Sequence, residues 1–244
     1  MLGRFSANSM KGVTQLLTKS GVNSQLLQRS YYRMPEVPYQ TKGLSPFLSD
    51  KAIAAHLELH RADIDKANNL IDNTPYKDQQ IMHTLKASCT DKEDATFFRL
   101  ASSHFNHSFF WRSITDRVTT PSTFMLKAFR MDFGSFKDFQ IKFSQNASAM
   151  AAPGYTWLVF RGKSLEILNT YDYGSPYEME NTYPLLCLDL HEHSYYLDYQ
   201  NNKYRYIANY WNFIDWDFVE EKFMNALLFD KETKTRVEGQ TLDE

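Results

Sequence analysis

Two kinds of hydrophobic pattern divide this chain of 244 residues. Apolar residues recur at helical spacing from Ser49 to Ile71, where Ser49 or Asp50 can cap the helix and several alanines favour it. A second helical pattern begins near Asp91 and continues through FFRLASSHFNHSFFWRSI, and a third covers residues 122–150. The pattern therefore predicts helices over most of the chain before residue 150.

After residue 150 the pattern changes to short, β-favouring runs that are separated by turn signals. Three such runs, TWLVF, SLEILNTY and PLLCLDL, occupy residues 156–160, 164–171 and 184–190, and residues 192–228 return to an aromatic-rich helical pattern. This order predicts an α+β protein. We expect a helical N-terminal domain over residues 34–119 and an α+β C-terminal domain with three strands over residues 120–230.

The two ends of the chain differ from the part between them. Residues 1–33 contain five basic residues and no acidic residue among Ser, Leu and Gln, which is typical of a mitochondrial presequence. The alternative is a basic arm that contacts nucleic acid. Residues 231–244 form a polar tail. We therefore expect a mitochondrial matrix protein that is processed near Arg29-Ser30-Tyr31.

Charge and composition argue against several classes of protein. The formal net charge is −2, and removal of the basic N-terminal segment would make it more negative, so nonspecific binding of nucleic acid is not expected. The aromatic content of 15% indicates an aromatic-rich core or interface. No run is apolar for long enough to span a membrane. Cys89 and Cys187 are too few for a disulfide framework, and we expect buried, reduced thiols.

Histidine and aspartate occur in three separate runs that together can bind a metal ion. The runs are AAHLELH (54–60), SSHFNHSFFW (102–111) and LDLHEHSYYLDYQN (188–201). A metal site needs imidazole nitrogens and carboxylate oxygens that converge from distant segments, and three histidines with one aspartate suit manganese or iron. A hydrolase or oxygenase site of two histidines and one carboxylate would leave one histidine unexplained.

Together with DFGSFKDF (132–139), these runs resemble the iron/manganese superoxide dismutases over about residues 35–228. The resemblance implies a helical hairpin in the N-terminal domain and a three-stranded antiparallel sheet in the C-terminal domain. It also implies one manganese or iron ion per chain, at which superoxide is converted to dioxygen and hydrogen peroxide. The metal ligands would be His56, His107, Asp189 and His193.

The identity of the first ligand depends on the register of the comparison. Counting from Leu44-Ser45-Pro46 places His56 at the ligand position and His60 at a histidine position near the substrate entrance. A register guided by Asn69-Leu70 would instead favour His60 as the ligand. We adopt His56, because only that register recovers both histidines without a gap upstream.

The resemblance further implies contacts across a two-fold axis. Glu192 would hydrogen-bond the ligand histidine of a partner subunit, and His60 would hydrogen-bond the partner subunit's Tyr196. The region of Glu192, His193 and Tyr196 would then form a dimer interface, with a second copy or with a paralogue. His60, Tyr173 and Tyr196 are the expected catalytic-site residues, with Tyr173 hydrogen-bonding a bound solvent molecule.

Several positions depart from the family pattern. Ile64 stands where the family has a tyrosine near the substrate entrance. Neither Ser103 nor Tyr173 is the glutamine that the family pattern leads us to expect near one of these positions. His191 replaces a tryptophan, and residues 152–155 replace a glycine-serine-glycine-tryptophan run. An isoleucine cannot relay a proton. These changes support a second hypothesis, in which the chain is a weak or inactive, dismutase-like structural subunit of a large mitochondrial complex such as the mitochondrial ribosome or a respiratory assembly.

Overall fold

The computed structural model describes residues 32–37, 39, 44–77, 79–89 and 95–229. The polar tail (231–244) and residues 1–31 of the expected presequence lie outside the described residues, so both segments stay predictions. Within the described residues, none of the helices is long and apolar enough to cross a membrane.

Among the described residues, the N-terminal half contains three helices: α1 (Asp50–Ile71), α2 (Ile81–Ser88) and α3 (Ala95–Arg112). The Ser49 side chain caps α1 by accepting a hydrogen bond from the backbone N–H of Ala52, as the sequence predicts. The contacts between α1 and α3 show that the two helices are antiparallel. His56 faces His107, whereas Asp63 meets Ser103 further along. The predicted helical hairpin is therefore confirmed, while sequence analysis assigned no element to α2.

The third predicted helical stretch is in fact two helices, α4 (Thr123–Phe133) and α5 (Phe136–Ala149). Gly134 separates them with a φ of +94°, a backbone conformation that side-chain-bearing residues rarely adopt. Ser135 then caps α5, because its hydroxyl accepts a hydrogen bond from the backbone N–H of Asp138 at 3.0 Å. The prediction of a single stretch over residues 122–150 missed this turn.

One antiparallel sheet follows, with strands β1 (Gly154–Arg161), β2 (Ser164–Tyr171) and β3 (Thr182–Asp189) in the order β2-β1-β3. The central strand β1 is buried along its whole length except at Arg161, as expected for a strand flanked on both edges. The three predicted strands and their antiparallel arrangement are confirmed. The register brings Tyr155 opposite Asp189, so the end of β3 lies beside the start of β1.

The chain then forms α6 (Glu192–Tyr199), α7 (Lys203–Tyr210) and α8 (Trp216–Phe229). The largest buried core contains residues from both halves, including Phe110 and Trp111 from α3, Trp157 from β1 and Tyr206 from α7. An isolated bridge between Ile114 and Ile214 also joins the halves. The fold is thus α+β, with an aromatic core that holds the ends of α3 and β3 together.

Candidate metal centre

Four candidate ligands from four different elements converge at the junction of the two halves. His56 lies in α1, His107 in α3, Asp189 at the end of β3 and His193 in the first turn of α6. One potential ligand atom from each residue lies within 4.8 Å of the others. The sequence places these residues up to 137 positions apart, so it is the packing of α1 and α3 against the end of the sheet that creates the group.

Asp189 Oδ2 is the common neighbour of the three histidines. It lies 3.3 Å from His56 Nε2, 3.7 Å from His107 Nε2 and 3.4 Å from His193 Nε2. His107 Nε2 and His193 Nε2 are themselves 3.2 Å apart. Asp189 and His56 are fully buried, and among the described residues neither Asp189 Oδ2 nor His56 Nε2 has a hydrogen-bond partner. Buried polar atoms without partners are costly, and a cation held between them would remove that cost.

Burial sets the protonation of the group in a form that can bind a metal. Burial lowers the pKa of His56 to about 4 and the pKa of His107 well below its usual range, so both imidazoles are neutral near neutral pH. Burial alone would raise the pKa of Asp189, but the neighbouring His191 and His193 hold it well below its usual range. Neutral imidazoles beside an ionised carboxylate are the forms that coordinate metal ions.

The hydrogen bonds of His107 fix which nitrogen is available. His107 Nδ1 lies 2.8 Å from the carbonyl oxygen of Ser103, one turn earlier in α3, and 3.1 Å from its hydroxyl. Because a carbonyl only accepts, Nδ1 carries the proton and Nε2 presents its lone pair to the other ligand candidates. The Ser103 hydroxyl in turn donates to Asp63 Oδ2 at 2.7 Å.

Asp189 is held through its second oxygen and its backbone. Asp189 Oδ1 accepts hydrogen bonds from the backbone N–H of His191 at 3.0 Å and from His191 Nδ1 at 2.8 Å. The Tyr206 hydroxyl donates to the Asp189 carbonyl at 2.9 Å. Burial would lower the pKa of His191, but the Asp189 charge raises it overall. These contacts leave Oδ2 pointing at the three imidazoles.

Aromatic side chains enclose the group. The Trp111 ring lies 4.6 Å from the His56 ring, Phe110 lies 5.8 Å from His56, and Tyr155 lies 6.3 Å from His107, measured between ring centroids. Trp111, Phe110 and Tyr155 are all buried. An apolar wall of this kind limits solvent access and lowers the local dielectric at a metal site.

His60 lies beside the group but not among the four. Its ring stacks 5.1 Å from that of His107, and its Nε2 lies 2.9 Å from Nδ1 of His104. Burial lowers the pKa of His60 to about 3 and that of His104 to about 4, so the pair is neutral. His60 Nδ1 has no hydrogen-bond partner among the described residues, so the predicted contact with the partner subunit's Tyr196 stays a prediction.

The remaining expected site residues lie nearer the surface. Tyr173 is half-buried, and its hydroxyl accepts a hydrogen bond from Arg99 at 3.2 Å. Tyr196 is 51% exposed, and Glu192 is exposed as well. Ile64 is buried in a separate apolar cluster between α1 and α3 and brings no polar group to the site.

The family is decided by two matches along this fold. Residues 31–115 match the α-hairpin domain of the iron/manganese superoxide dismutases, and residues 121–222 match the C-terminal domain of the same family. The chain belongs to the iron/manganese superoxide dismutases.

Curated relatives of this family align over nearly their whole length. The chain is 33% identical to an iron superoxide dismutase of Coxiella burnetii over 79% of the chain and 98% of that protein. It is 31% identical to one of Plasmodium falciparum, over 80% and 97%, and 32% identical to one of Entamoeba histolytica, over 78% and 98%. Each of these relatives is named an iron superoxide dismutase.

Sequence reasoning missed three residues that contact the ligand candidates or their neighbours. Asp63 is an acidic residue in a helix, the kind of residue that is most often exposed, and only the packing of α1 on α3 shows that it meets Ser103. At His191 the sequence indicated only the replacement of a tryptophan and not a hydrogen bond to Asp189. The pairing of His104 with His60 depends on the same helix packing.

Proposed function

We propose that this chain is a superoxide dismutase that binds one iron or manganese ion through His56, His107, Asp189 and His193. The observation that carries the proposal is the buried carboxylate oxygen of Asp189, which has three imidazole nitrogens around it and no hydrogen-bond partner in the part of the chain that the structure describes. The donor set of three nitrogens and one oxygen suits a divalent or trivalent iron or manganese ion.

When bound, such an ion would supply the one-electron oxidation and reduction that turn superoxide into dioxygen and into hydrogen peroxide. The protein's own residues prepare the place for it. Asp189 contributes a negative charge that offsets part of the charge of a cation, and the neutral imidazoles contribute lone pairs. The buried side chains of Trp111, Phe110 and Tyr155 keep bulk water from the group. At a metal site, such exclusion of water governs the redox potential and the access of solvent.

Iron is the metal that we propose first. The curated relatives that cover about four fifths of the chain are named iron superoxide dismutases. The donor atoms by themselves suit manganese as well, so the metal is a matter for measurement.

We also propose the roles that the family resemblance assigns around the site. His60, fully buried against His107, would take part in the hydrogen bonding that leads to the site. Tyr173, whose ring centroid lies 6.3 Å from that of His191, and the exposed Tyr196 would complete its rim. A dimer through Glu192, His193 and Tyr196 is consistent with the exposure of Glu192 and Tyr196 beside the site.

A mitochondrial location is proposed from the basic, acid-free composition of residues 1–33 alone. The second hypothesis, a structural subunit of a large mitochondrial complex, is favoured by one observation. Ile64 is buried among apolar side chains and brings no hydroxyl to the place where the family has a tyrosine. Metal content and superoxide turnover, measured on one sample, separate this hypothesis from that of an active dismutase.

The experiment measures metal content and superoxide turnover on one sample of the purified chain, beside two histidine variants. We expect about one iron or manganese per wild-type chain, with turnover. His107→Ala should lose the metal and the activity, because it removes a ligand from a fully buried group. His83→Ala is the matched control, since His83 is an exposed histidine of α2.

Metal without turnover would support the structural-subunit hypothesis with a retained ion. Turnover by a metal-free preparation would contradict the proposed mechanism, and an absence of both metal and turnover would contradict the proposed function.

A further inference from the structure

We propose that Asp63 is a positioning residue for the metal ligand His107 and that it acts through the hydroxyl of Ser103. The inference rests on the proposed function, because it concerns how His107 presents itself to a metal ion. Three buried groups carry it: Asp63, Ser103 and His107 are 8%, 0% and 1% exposed.

The direction of the hydrogen bonds follows from what each group can donate. A carboxylate only accepts, so the Ser103 hydroxyl donates its single proton to Asp63 Oδ2, 2.7 Å away. The hydroxyl oxygen then has only lone pairs to offer to His107 Nδ1, 3.1 Å away. Asp63 thereby makes the Ser103 hydroxyl a hydrogen-bond acceptor for His107 Nδ1. The hydroxyl is then a second acceptor beside the Ser103 carbonyl, which accepts from Nδ1 at 2.8 Å.

Without the carboxylate, the Ser103 hydroxyl could turn and donate to Nδ1. That would work against the tautomer that the Ser103 carbonyl holds, with the proton on Nδ1 and the lone pair on Nε2, the nitrogen that faces Asp189 and His193. Carboxylates that support a ligand histidine in this way fix its tautomer and ring orientation and raise its basicity. Here a serine hydroxyl stands between the carboxylate and the imidazole.

The Asp63 carboxylate interacts more strongly with the Ser103 hydroxyl than with its basic neighbour. Among the residues that the structure describes, the basic group that pairs with Asp63 is Lys66, whose Nζ lies 3.6 Å from Oδ1 and whose side chain is 61% exposed. Such an exposed pair is screened by solvent and weakly held. The hydrogen bonds between Asp63, Ser103 and His107 lie in the interior, where electrostatic interactions are stronger.

The test uses Mn²⁺ alone as the probe and compares metal affinity in the full chain and its variants. The dissociation constant is measured from the electron paramagnetic resonance signal of free Mn²⁺. Asp63→Asn and Ser103→Ala should each weaken Mn²⁺ binding by roughly 10–100-fold. The double variant should bind about as weakly as Ser103→Ala alone, because Asp63 acts through that hydroxyl.

Two controls match the variants in chemistry. Asp65→Asn removes the same charge from an exposed position of α1. Ser102→Ala removes a buried hydroxyl of α3 that donates to the Tyr173 carbonyl rather than to a metal ligand. Both controls should keep the wild-type affinity for Mn²⁺.

A second readout separates positioning from simple structural support. The paramagnetic resonance spectrum of the iron(III)-loaded chain should change in Asp63→Asn and in Ser103→Ala and should stay as in wild type in both controls. Circular dichroism of the metal-free chains checks that each variant folds. Should Asp63→Asn fail to fold, the affinity and spectrum of Ser103→Ala decide the question.

Wild-type affinity and an unchanged spectrum in Ser103→Ala would overturn the inference. So would an Asp63→Asn effect that is equally large in the Ser103→Ala background. If the wild-type chain binds neither Mn²⁺ nor iron, the proposed function fails together with the inference. If the wild-type chain binds metal and the variants bind it equally well, only the inference fails.

Discussion

Asp189 is the residue around which the candidate metal centre is arranged. Its Oδ1 accepts two hydrogen bonds from His191, and its Oδ2 faces three imidazole nitrogens. One carboxylate thus divides its two oxygens between the protein and the cation site. Aspartate suits this position because its short side chain at the end of β3 reaches the histidines of α1, α3 and α6 at once.

Near this centre, His104 makes the stability of the metal-free chain depend on pH. Burial lowers the pKa of His104 to about 4, from an ordinary value of 6.5 in the unfolded chain. Between those values the unfolded chain binds more protons, so His104 contributes stability that is present above pH 6.5 and is lost as the pH falls towards 4. The full loss is on the order of 3 kcal/mol.

Replacing His104 with glutamine removes this proton uptake and keeps a polar side chain opposite His60. We expect the free energy of unfolding of metal-free His104→Gln to fall less steeply from pH 6.5 to pH 4 than that of wild type. Urea unfolding at several pH values measures the slope. His83→Gln, at an exposed position, is the control and should keep the wild-type slope. An unchanged slope in His104→Gln would contradict the assignment of this pH dependence to His104.

Among the elements, the turn between α4 and α5 depends on the backbone of one glycine. Gly134 has a φ of +94°, and Ser135 begins the next helix as its cap. Gly134→Ala should destabilise the chain by about 1–2 kcal/mol, because a Cβ opposes a positive φ. The nearest atom to that Cβ would be Asp138 Oδ2 at 3.5 Å, so the cost comes from the backbone and not from a clash.

Thermal unfolding of two further variants tests whether the positive φ causes this loss of stability. Gly134→Asn should lose less stability than Gly134→Ala, since asparagine tolerates positive φ better than alanine does. Lys137→Ala, at an exposed position in the first turn of α5, should change the midpoint little. Equal losses in Gly134→Ala and Gly134→Asn would show that the cost has another origin.

At the scale of the whole molecule, the sequence allows the fold and the four ligand candidates to be predicted, but not the contacts around them. His56, His107, Asp189 and His193 lie in runs that resemble one family, and periodicity separates the helical half from the strands. The contact between Asp63 and Ser103 depends on the relative register of α1 and α3, which periodicity does not specify. The short helix α2 lacks a side-chain cap, so its sequence carries only a weak start signal.

The placement of the candidate ligands predicts that metal stabilises the whole chain. Two candidate ligands come from helices of the N-terminal half, and two come from the end of the sheet and the helix after it. Their sequence separation means that the unfolded chain does not hold them together, so a metal ion binds the native state in preference. Without an ion, Asp189 Oδ2 is buried and has no hydrogen-bond partner among the residues that the structure describes.

We therefore expect the wild-type chain to melt roughly 5–10 °C higher with the metal than after removal by chelation, if free metal is about 100 times its dissociation constant. Differential scanning calorimetry of the metal-loaded and chelator-treated chain measures the difference. His107→Ala supplies the control, because a chain with one ligand removed should melt at nearly the same temperature with and without metal. A difference that persists in His107→Ala would place the stabilising metal elsewhere in the chain. Equal melting temperatures for metal-loaded and metal-free wild type would mean that the four residues do not bind metal in the folded state.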